Sequence, residues 1–495
     1  MLKNSLLLYV DDTVADDTPL EGFSGDNIVP LDLSRRLSDA FPGCETFFSV
    51  PVAYSGSLLS RDNVIVREGS MNRDWNAILE RSGADNIIRV YADAPFTDPA
   101  VIQEMLDIHV TYVAEYTYSE NVPSGCGCDI MASFLIQSLP EDTPEKRALP
   151  IEKVIRDNIN QFDVELYYTE PDIRHKRLSF RTADLRERRI CQNLFAINNR
   201  IPAYREIGSL ISSHPETVYV APSYLELQLN RTRKTLPLYA HPGSSDNTGQ
   251  MSTDTVGKIL DGMREFGLPY SVSLTFGDPL LHEKFYSIMQ SIRAETHVET
   301  IIIETEATYT DSNFVSFLRE AADPRITVIV ECNGYTAETY SLIHGTDRFE
   351  TVLKNIIQLQ EILENNLYIQ IMKINETEPF LDMFYDFWEK HNVQIILQKQ
   401  NTYLGKLPDR RYYDLTPLTR IPCWHLQRDL YILPDGRVSY CKQDVDAKFS
   451  SLDVQNMPIS EIWEKRKPMF LKDYREDYPA SPDCRFCDEW FTFNL

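Results

Sequence analysis

The chain has 495 residues, 43% of them hydrophobic and 25% charged, with 49 Lys and Arg against 74 Asp and Glu for a net charge of −25. These proportions are ordinary for globular domains, and the length accommodates about three of them. The acidic balance argues against duplex nucleic acid or an anionic membrane as main partner, because clustered Lys and Arg hold both.

In chain order, the apolar run 6–10 reads as a buried strand closed by Asp11 and Asp12. It is too short for a signal peptide, and no later run reaches the length of a membrane span. A cytoplasmic protein is expected, whose nine cysteines are thiols or ligands rather than disulfides. Residues 31–40 carry a helical pattern, and 46–52 and 86–91 read as strands. The latter runs into Ala92-Asp93-Ala94-Pro95, after which Asp98 caps a helix through His109. Alternating strands and helices over residues 1–205 predict an α/β domain. Cys126 and Cys128 stand in a glycine-rich loop. Two thiols do not complete a tetrahedral metal site, so a structural role is expected for them.

Residues 215–410 repeat strand and helix more regularly. Strands are predicted at 224–229, 270–275, 300–304, 327–331, 368–373 and 394–398, with helices between them such as 253–266, stopped by Gly267. The apolar, β-branched strands predict burial on both faces. Six such units fit a partial (β/α)6 barrel or an open doubly wound sheet. In either, ligand chemistry gathers in the loops after the strands' C-terminal ends.

Residues 411–495 are loop-rich and carry Cys423, Cys441 and the pair Cys484-Arg485-Phe486-Cys487. A CxxC pair with two further cysteines is the spacing of a tetrathiolate centre, either a [4Fe–4S] cluster or Zn²⁺. A small module of this kind gains its stability from such a staple. Arg410, Arg411 and Arg420 read as a solvated basic face, with Arg420 close to the cysteines in sequence.

The segment Leu433-Pro434-Asp435-Gly436-Arg437-Val438-Ser439-Tyr440-Cys441 resembles the hairpin that opens a SPASM domain, and Ile459-Ser460-Glu461-Ile462-Trp463 resembles that domain's short helix. The resemblance implies iron–sulfur ligation by Cys423, Cys441, Cys484 and Cys487. The family's full pattern has seven cysteines and two clusters, so one cluster is expected here. Phe276-Gly277-Asp278-Pro279-Leu280-Leu281-His282 is similar to the "GGEPLLHP" motif of radical S-adenosylmethionine (SAM) enzymes. Glu331-Cys332-Asn333-Gly334 resembles a later segment of the same core. That likeness implies SAM contacts at Gly277, Asp278, Pro279, Glu331 and Asn333. The motif CxxxCxxC, which holds the SAM-binding cluster, is replaced: counting back from Pro242, its positions carry Lys234, Leu238 and His241. Lys and Leu do not ligate a cluster, and one imidazole does not replace three thiolates. His241 is read as a surface loop histidine.

Arg89-Val90-Tyr91-Ala92-Asp93-Ala94-Pro95-Phe96-Thr97-Asp98-Pro99 resembles a segment of sugar cytidylyltransferases, of GT-A type, in which Asp93 takes the place of an Mg²⁺ ligand. Arg174 and Arg177 resemble a later basic segment of that family. Residues 11–30, where a triphosphate-cradling loop belongs, hold six Asp or Glu and no Lys or Arg. The chain as a whole resembles the spiro-SPASM family: a nucleotidyltransferase-like α/β domain, a radical-SAM-like partial barrel and a reduced SPASM-like tail. The expected function is that of a binding or scaffold protein, or pseudoenzyme, with one C-terminal [4Fe–4S] cluster. The alternatives are an active iron–sulfur or SAM-dependent enzyme modifying a peptide or glycan-related substrate, or a nucleotidyltransferase. The partner expected is a protein, a peptide or a nucleotide-sugar-related ligand.

Overall fold

Leu6, Leu7 and Leu8 are fully buried and draw the first strand into a sheet. In the computed structural model, which describes all residues except 1, 24–27, 142–149, 242–248, 311, 414–415, 477–483, 485–486 and 493–495, the chain forms two compact units, Met1–Val220 and Ala221–Leu495. Pro242, the landmark used to place the missing CxxxCxxC motif, lies outside the described residues. Among those described, no helix is long and apolar enough to cross a membrane.

The first unit is built on a seven-stranded sheet. Its strands are β1 (Asn4–Tyr9), β2 (Glu45–Pro51), β3 (Val64–Arg67), β4 (Asn86–Tyr91), β5 (Tyr116–Ser119), β6 (Asp129–Ala132) and β7 (Val164–Tyr167), in the order β3-β2-β1-β4-β6-β5-β7. β1 to β4 run parallel, and β6 is antiparallel to β4 and β5. Helix Pro99–Thr111 starts where expected, with the Asp98 carboxylate accepting from the Ala100 amide at 2.9 Å.

The second unit holds a nine-stranded sheet. β8 (Tyr224–Leu227), β9 (Tyr270–Leu274), β10 (Val298–Thr305), β11 (Ile326–Glu331), β12 (Leu367–Lys373) and β13 (Gln394–Lys399) are all parallel and neighbour one another in chain order. The sheet is open: β8 pairs on its free side with β14 (Asp429–Ile432), not with β13. β14, β15 (Arg437–Ser439) and β16 (Leu452–Asp453) form an antiparallel meander at that edge. The C-terminal region thus shares the sheet of the middle region. Gly436, at φ 91°, makes the β14–β15 turn, a left-handed position that favours glycine.

Period-two alternation gives the parallel sheet two unlike faces. Leu225, Val272, Ile301, Ile303, Val328, Val330, Ile369 and Ile371 point into one large core beneath the helices. The opposite face does not match the expectation of apolar burial on both sides. Tyr224, Ile302, Ile329 and Ile396 form only a small apolar cluster there. Most of the remaining positions there are polar, among them Glu226, Ser273, Thr275, Glu304, Glu331 and Gln370. In the tail, the expected short helix extends over Ile459–Tyr474. It packs so closely on helix Thr253–Arg264 that a Cβ on Gly262 would lie 2.7 Å from Ile459 Cγ1.

Candidate functional site

The polar face of the second unit encloses a cavity of ≈ 100 Å³. Each parallel strand contributes: Glu226 from β8, Ser273 from β9 and Thr275 just after it, Glu304 from β10, Glu331 from β11, Gln370 and Met372 from β12, and Gln398 and Lys399 from β13. Arg233, His241, Tyr403, Lys442 and Glu489 close it from the loops and tail. Burial pushes the Glu226 carboxyl up to about 8, with Lys442 opposing the shift and Asp429 adding to it. Burial likewise raises Glu304, reinforced by the charge of Glu331, while a hydrogen bond from Thr275 and the charge of Lys442 hold it back. Of the strand residues in this wall only Glu331 was singled out from sequence. The available signal was a polar residue at every second place of an otherwise apolar strand, such as Ser271, Ser273 and Thr275.

The loop around Arg233, expected from the sequence to stand where a CxxxCxxC segment would be, is pinned across the mouth of this face. Arg233 makes a bidentate pair with Glu331 at 3.1 and 2.6 Å, and its Nε lies 3.5 Å from Glu306. Glu306, fully buried, also accepts from the amides of Lys234 at 2.7 Å and Thr235 at 3.0 Å. Thr235 Oγ1 lies 3.2 Å from His344 Nδ1, and His344 Nε2 lies 3.3 Å from the Asn333 amide nitrogen. The three positions expected to stand for the missing cysteines diverge. Lys234 is exposed, whereas Leu238 joins Tyr239, Ile343, Met372 and Ile374 in an apolar cluster. His241 is buried, 4.9 Å from the Phe276 ring and 4.8 Å from Tyr403, which corrects the surface reading. Its apolar packing, more than the nearby Arg231 and Arg233, pushes the imidazole down to about 3, so it is neutral at pH 7.

The structure does not bring all the expected SAM contacts to the cavity. Glu331 lines it, but Gly277, Asp278, Pro279 and Asn333 do not. Asp278 is fully buried. Its carboxylate accepts from Thr305 Oγ1 at 3.0 Å to both oxygens, from the Leu280 amide at 3.1 Å and from the Glu306 amide at 3.3 Å. Burial, then the charge of Glu306, pushes Asp278 up to about 7. Gly277 has no room for a side chain, since a Cβ would lie 2.3 Å from the Asn230 carbonyl oxygen. Asn333 accepts from the Met372 amide at 2.7 Å and donates to the Tyr239 hydroxyl.

The tail cysteines gather loosely. Cys441, Cys484 and Cys487 line one small apolar hollow. Cys423 precedes helix Trp424–Arg428, with its amide donating to Asp473 at 2.6 Å. Burial raises the thiols of Cys423, Cys441 and Cys487, and each is raised further by at least one other cysteine of the set. Among the described residues, no three His, Cys, Asp or Glu side chains converge closely enough to hold a metal ion. Residues 485 and 486, between the last two thiols, are outside the description. The donor set nevertheless fits an iron–sulfur centre: four soft ligands oppose one another's ionisation, and a cationic centre reverses that repulsion. Arg420 donates to the Cys484 carbonyl and pairs with Asp473 at 3.3 Å, so it is tied into this region and is not a solvated face. Arg411 is likewise paired, with Asp409 and Asp488.

In the first unit, Asp93 is buried and accepts from Arg181 Nε at 2.7 Å and from the Ala183 amide at 3.1 Å. Arg181, which the sequence reading passed over, stacks on Tyr91 with its guanidinium 3.6 Å from the ring centre. Arg174 pairs instead with Asp172 at 2.6 Å. The part of the acidic loop at residues 24–27 is outside the description. Cys126 is fully buried and Cys128 contacts the Met105 sulfur at 3.7 Å, as packing thiols.

Residues 423–488 match the SPASM family, described as an iron–sulfur cluster-binding domain. An uncharacterized protein of Treponema pallidum (strain Nichols) is 30% identical over 357 residues, spanning 69% of this chain and 97% of its own length. The chain belongs to the family of this treponemal protein. Its SPASM segment begins at the thiol of Cys423 and ends one residue past Cys487, so all four tail cysteines fall inside it. Among solved structures, Streptococcus suis SuiB bound to precursor peptide SuiA is 12% identical, covering 52% of this chain and 68% of its own, with a TM-score of 0.44. A cytidylyltransferase from Leptospira borgpetersenii is 14% identical, covering 44% of this chain and 97% of its own, with a TM-score of 0.36.

Proposed function

We propose that this protein is a radical-SAM/SPASM-like pseudoenzyme. In this reading it carries one [4Fe–4S] cluster in the SPASM segment and binds a ligand on the polar face of the second unit, without reductive cleavage of SAM. The observation that carries this reading is the buried Arg233–Glu331 pair. A guanidinium, fixed by two carboxylates, stands beside the loop positions that would need three thiolates, and those positions hold Lys234, Leu238 and His241. A cluster bound by Cys423, Cys441, Cys484 and Cys487 would supply electron transfer or a structural staple. In the surrounding chain, Asp473 orders the Cys423 backbone and the Glu489 amide donates to Cys487 Sγ at 3.3 Å, a bond that favours the thiolate.

The test is anaerobic purification followed by iron, sulfide and zinc analysis, and by incubation of the dithionite-reduced protein with SAM. About four irons per chain, lost in Cys484→Ala, with no 5′-deoxyadenosine formed, is the expected result. About eight irons, or turnover of SAM, overturns it, and zinc without sulfide replaces the cluster with a zinc site.

A further inference from the structure

A buried polar group beside the tail cysteines has no partner among the described residues. Gln443 is 4% exposed, and its side-chain Nε2 is fully buried without a hydrogen bond. The residue lines the same small hollow as Cys441, Cys484 and Cys487. Much of the rest of that lining is apolar, with Leu404, Leu426, Phe449 and Met469 among it. The carboxylate in the lining, Asp444, is already committed: it accepts from the Lys448 amide at 2.9 Å and from the Phe449 amide at 3.0 Å.

The backbone around Gln443 is fixed, so the side chain is not free to turn out to water. It stands two residues after Cys441, in a turn that the Asp444 amide closes on the Cys441 carbonyl at 3.2 Å. Ser439 Oγ donates to the same carbonyl at 2.8 Å. The Gln443 backbone amide hydrogen-bonds to the Cys441 sulfur, which sets the residue directly beside that ligand position. A buried N–H left without an acceptor is costly and rare in native proteins. A lone water answers it poorly, because a buried water needs several polar partners and most of these walls are apolar. The sulfurs are the acceptors that remain in the hollow.

We propose that the Gln443 side-chain amide donates a hydrogen bond to sulfur of the iron–sulfur centre held by the tail cysteines, and so keeps its reduction potential up. The proposal rests on the reading of the tail as a [4Fe–4S] site. Gln443 is not a ligand in this arrangement, since an amide N–H only donates and four thiols already complete the set. A hydrogen bond to sulfur favours the more negatively charged, reduced state, so removing it lowers the potential.

The experiment is a redox titration of the anaerobically purified full chain, read by electron paramagnetic resonance, for the wild type, Gln443→Leu and Gln443→Asn. Gln443→Leu removes the donor while keeping much of the volume. It should retain about four irons and move the midpoint downward. The expected shift is equivalent to a roughly fivefold to tenfold change in the ratio of reduced to oxidised cluster, the range of one hydrogen bond. Gln443→Asn keeps a shorter amide and should fall between the two. In reduced wild type labelled with ¹⁵N in the glutamine side chains, pulsed resonance should detect that nitrogen coupled to the cluster. An unchanged midpoint in Gln443→Leu, or no ¹⁵N coupling, overturns the proposal. If Gln443→Leu does not fold, the ¹⁵N coupling decides alone. A wild-type chain without iron removes the cluster and this proposal together, whereas about four irons with an unchanged midpoint removes this proposal alone.

Discussion

Replacing Arg233 by Met removes the cation from a buried site while keeping the side chain's length. Arg233 and Glu331 are 4% and 8% exposed, bonded at 3.1 and 2.6 Å, and Glu306 at 3.5 Å is 1% exposed. Water reaches none of these groups well enough to screen the loss, so the cost is that of stranding buried carboxylates, about 3–5 kcal/mol. Glu306 keeps the Lys234 and Thr235 amides, which places the expected value toward the lower end of that range. Urea unfolding followed by tryptophan fluorescence suits the measurement, because Trp388, Trp424, Trp463 and Trp490 lie in the second unit and Trp75 alone in the first. The double variant Arg233→Met/Glu331→Gln should recover part of the loss, giving a coupling energy of about 1–3 kcal/mol in the cycle. Trypsin should also cut faster at the exposed Lys234 in the single variant. A coupling below about 0.5 kcal/mol would mean that the guanidinium is not locked, and the argument that it fixes the loop would fall.

Two further outcomes are expected. Asp278 has its folded pKa raised from 3.8 to about 7, so its contribution is present below the unfolded value and lost as pH climbs from about 4 through 7. Asp278→Asn should therefore flatten the fall in stability across that window, by a few kcal/mol at most. An unchanged slope in denaturation at pH 4.5 and pH 7.5 would contradict the assignment. Gly277→Ala forces a Cβ to 2.3 Å from the Asn230 carbonyl and should cost about 1–3 kcal/mol, read as a lower urea midpoint. A neutral result would show that the β9 turn has slack.

Much of the framework was legible because buried strands announce themselves by length and by their flanking turns. The strand at 86–91 coincides with Asn86–Tyr91, and the six strands of the second unit were each placed with boundary errors of a residue or two. What escaped depended on contacts remote in sequence. Nothing near Asp93 indicated that Arg181 would neutralise it. His241 read as a surface loop histidine, whereas Phe276 and Tyr403 arrive from distant segments to cover it. The polar cavity was missed for another reason. Single Glu, Ser or Gln residues within apolar strands look like noise one strand at a time, and become a site only when six strands set them side by side. Asp278 illustrates the converse, because a motif in the expected place is turned inward onto Thr305 and so does not line the cavity.

The pairing of β14 with β8 has a consequence for biosynthesis. Tyr224 opposes Asp429 and Leu227 opposes Ile432, so the first strand of this sheet finds its outer neighbour only after the whole intervening chain has been made. Until then β8 leaves the ribosome with a bare hydrogen-bonding edge, the kind of edge that recruits other nascent chains. Contacts so remote form late. A chain interrupted before Asp429 would therefore be lost to aggregation more readily than one interrupted within the first unit, so the tail acts as the final safeguard of the sheet's solubility.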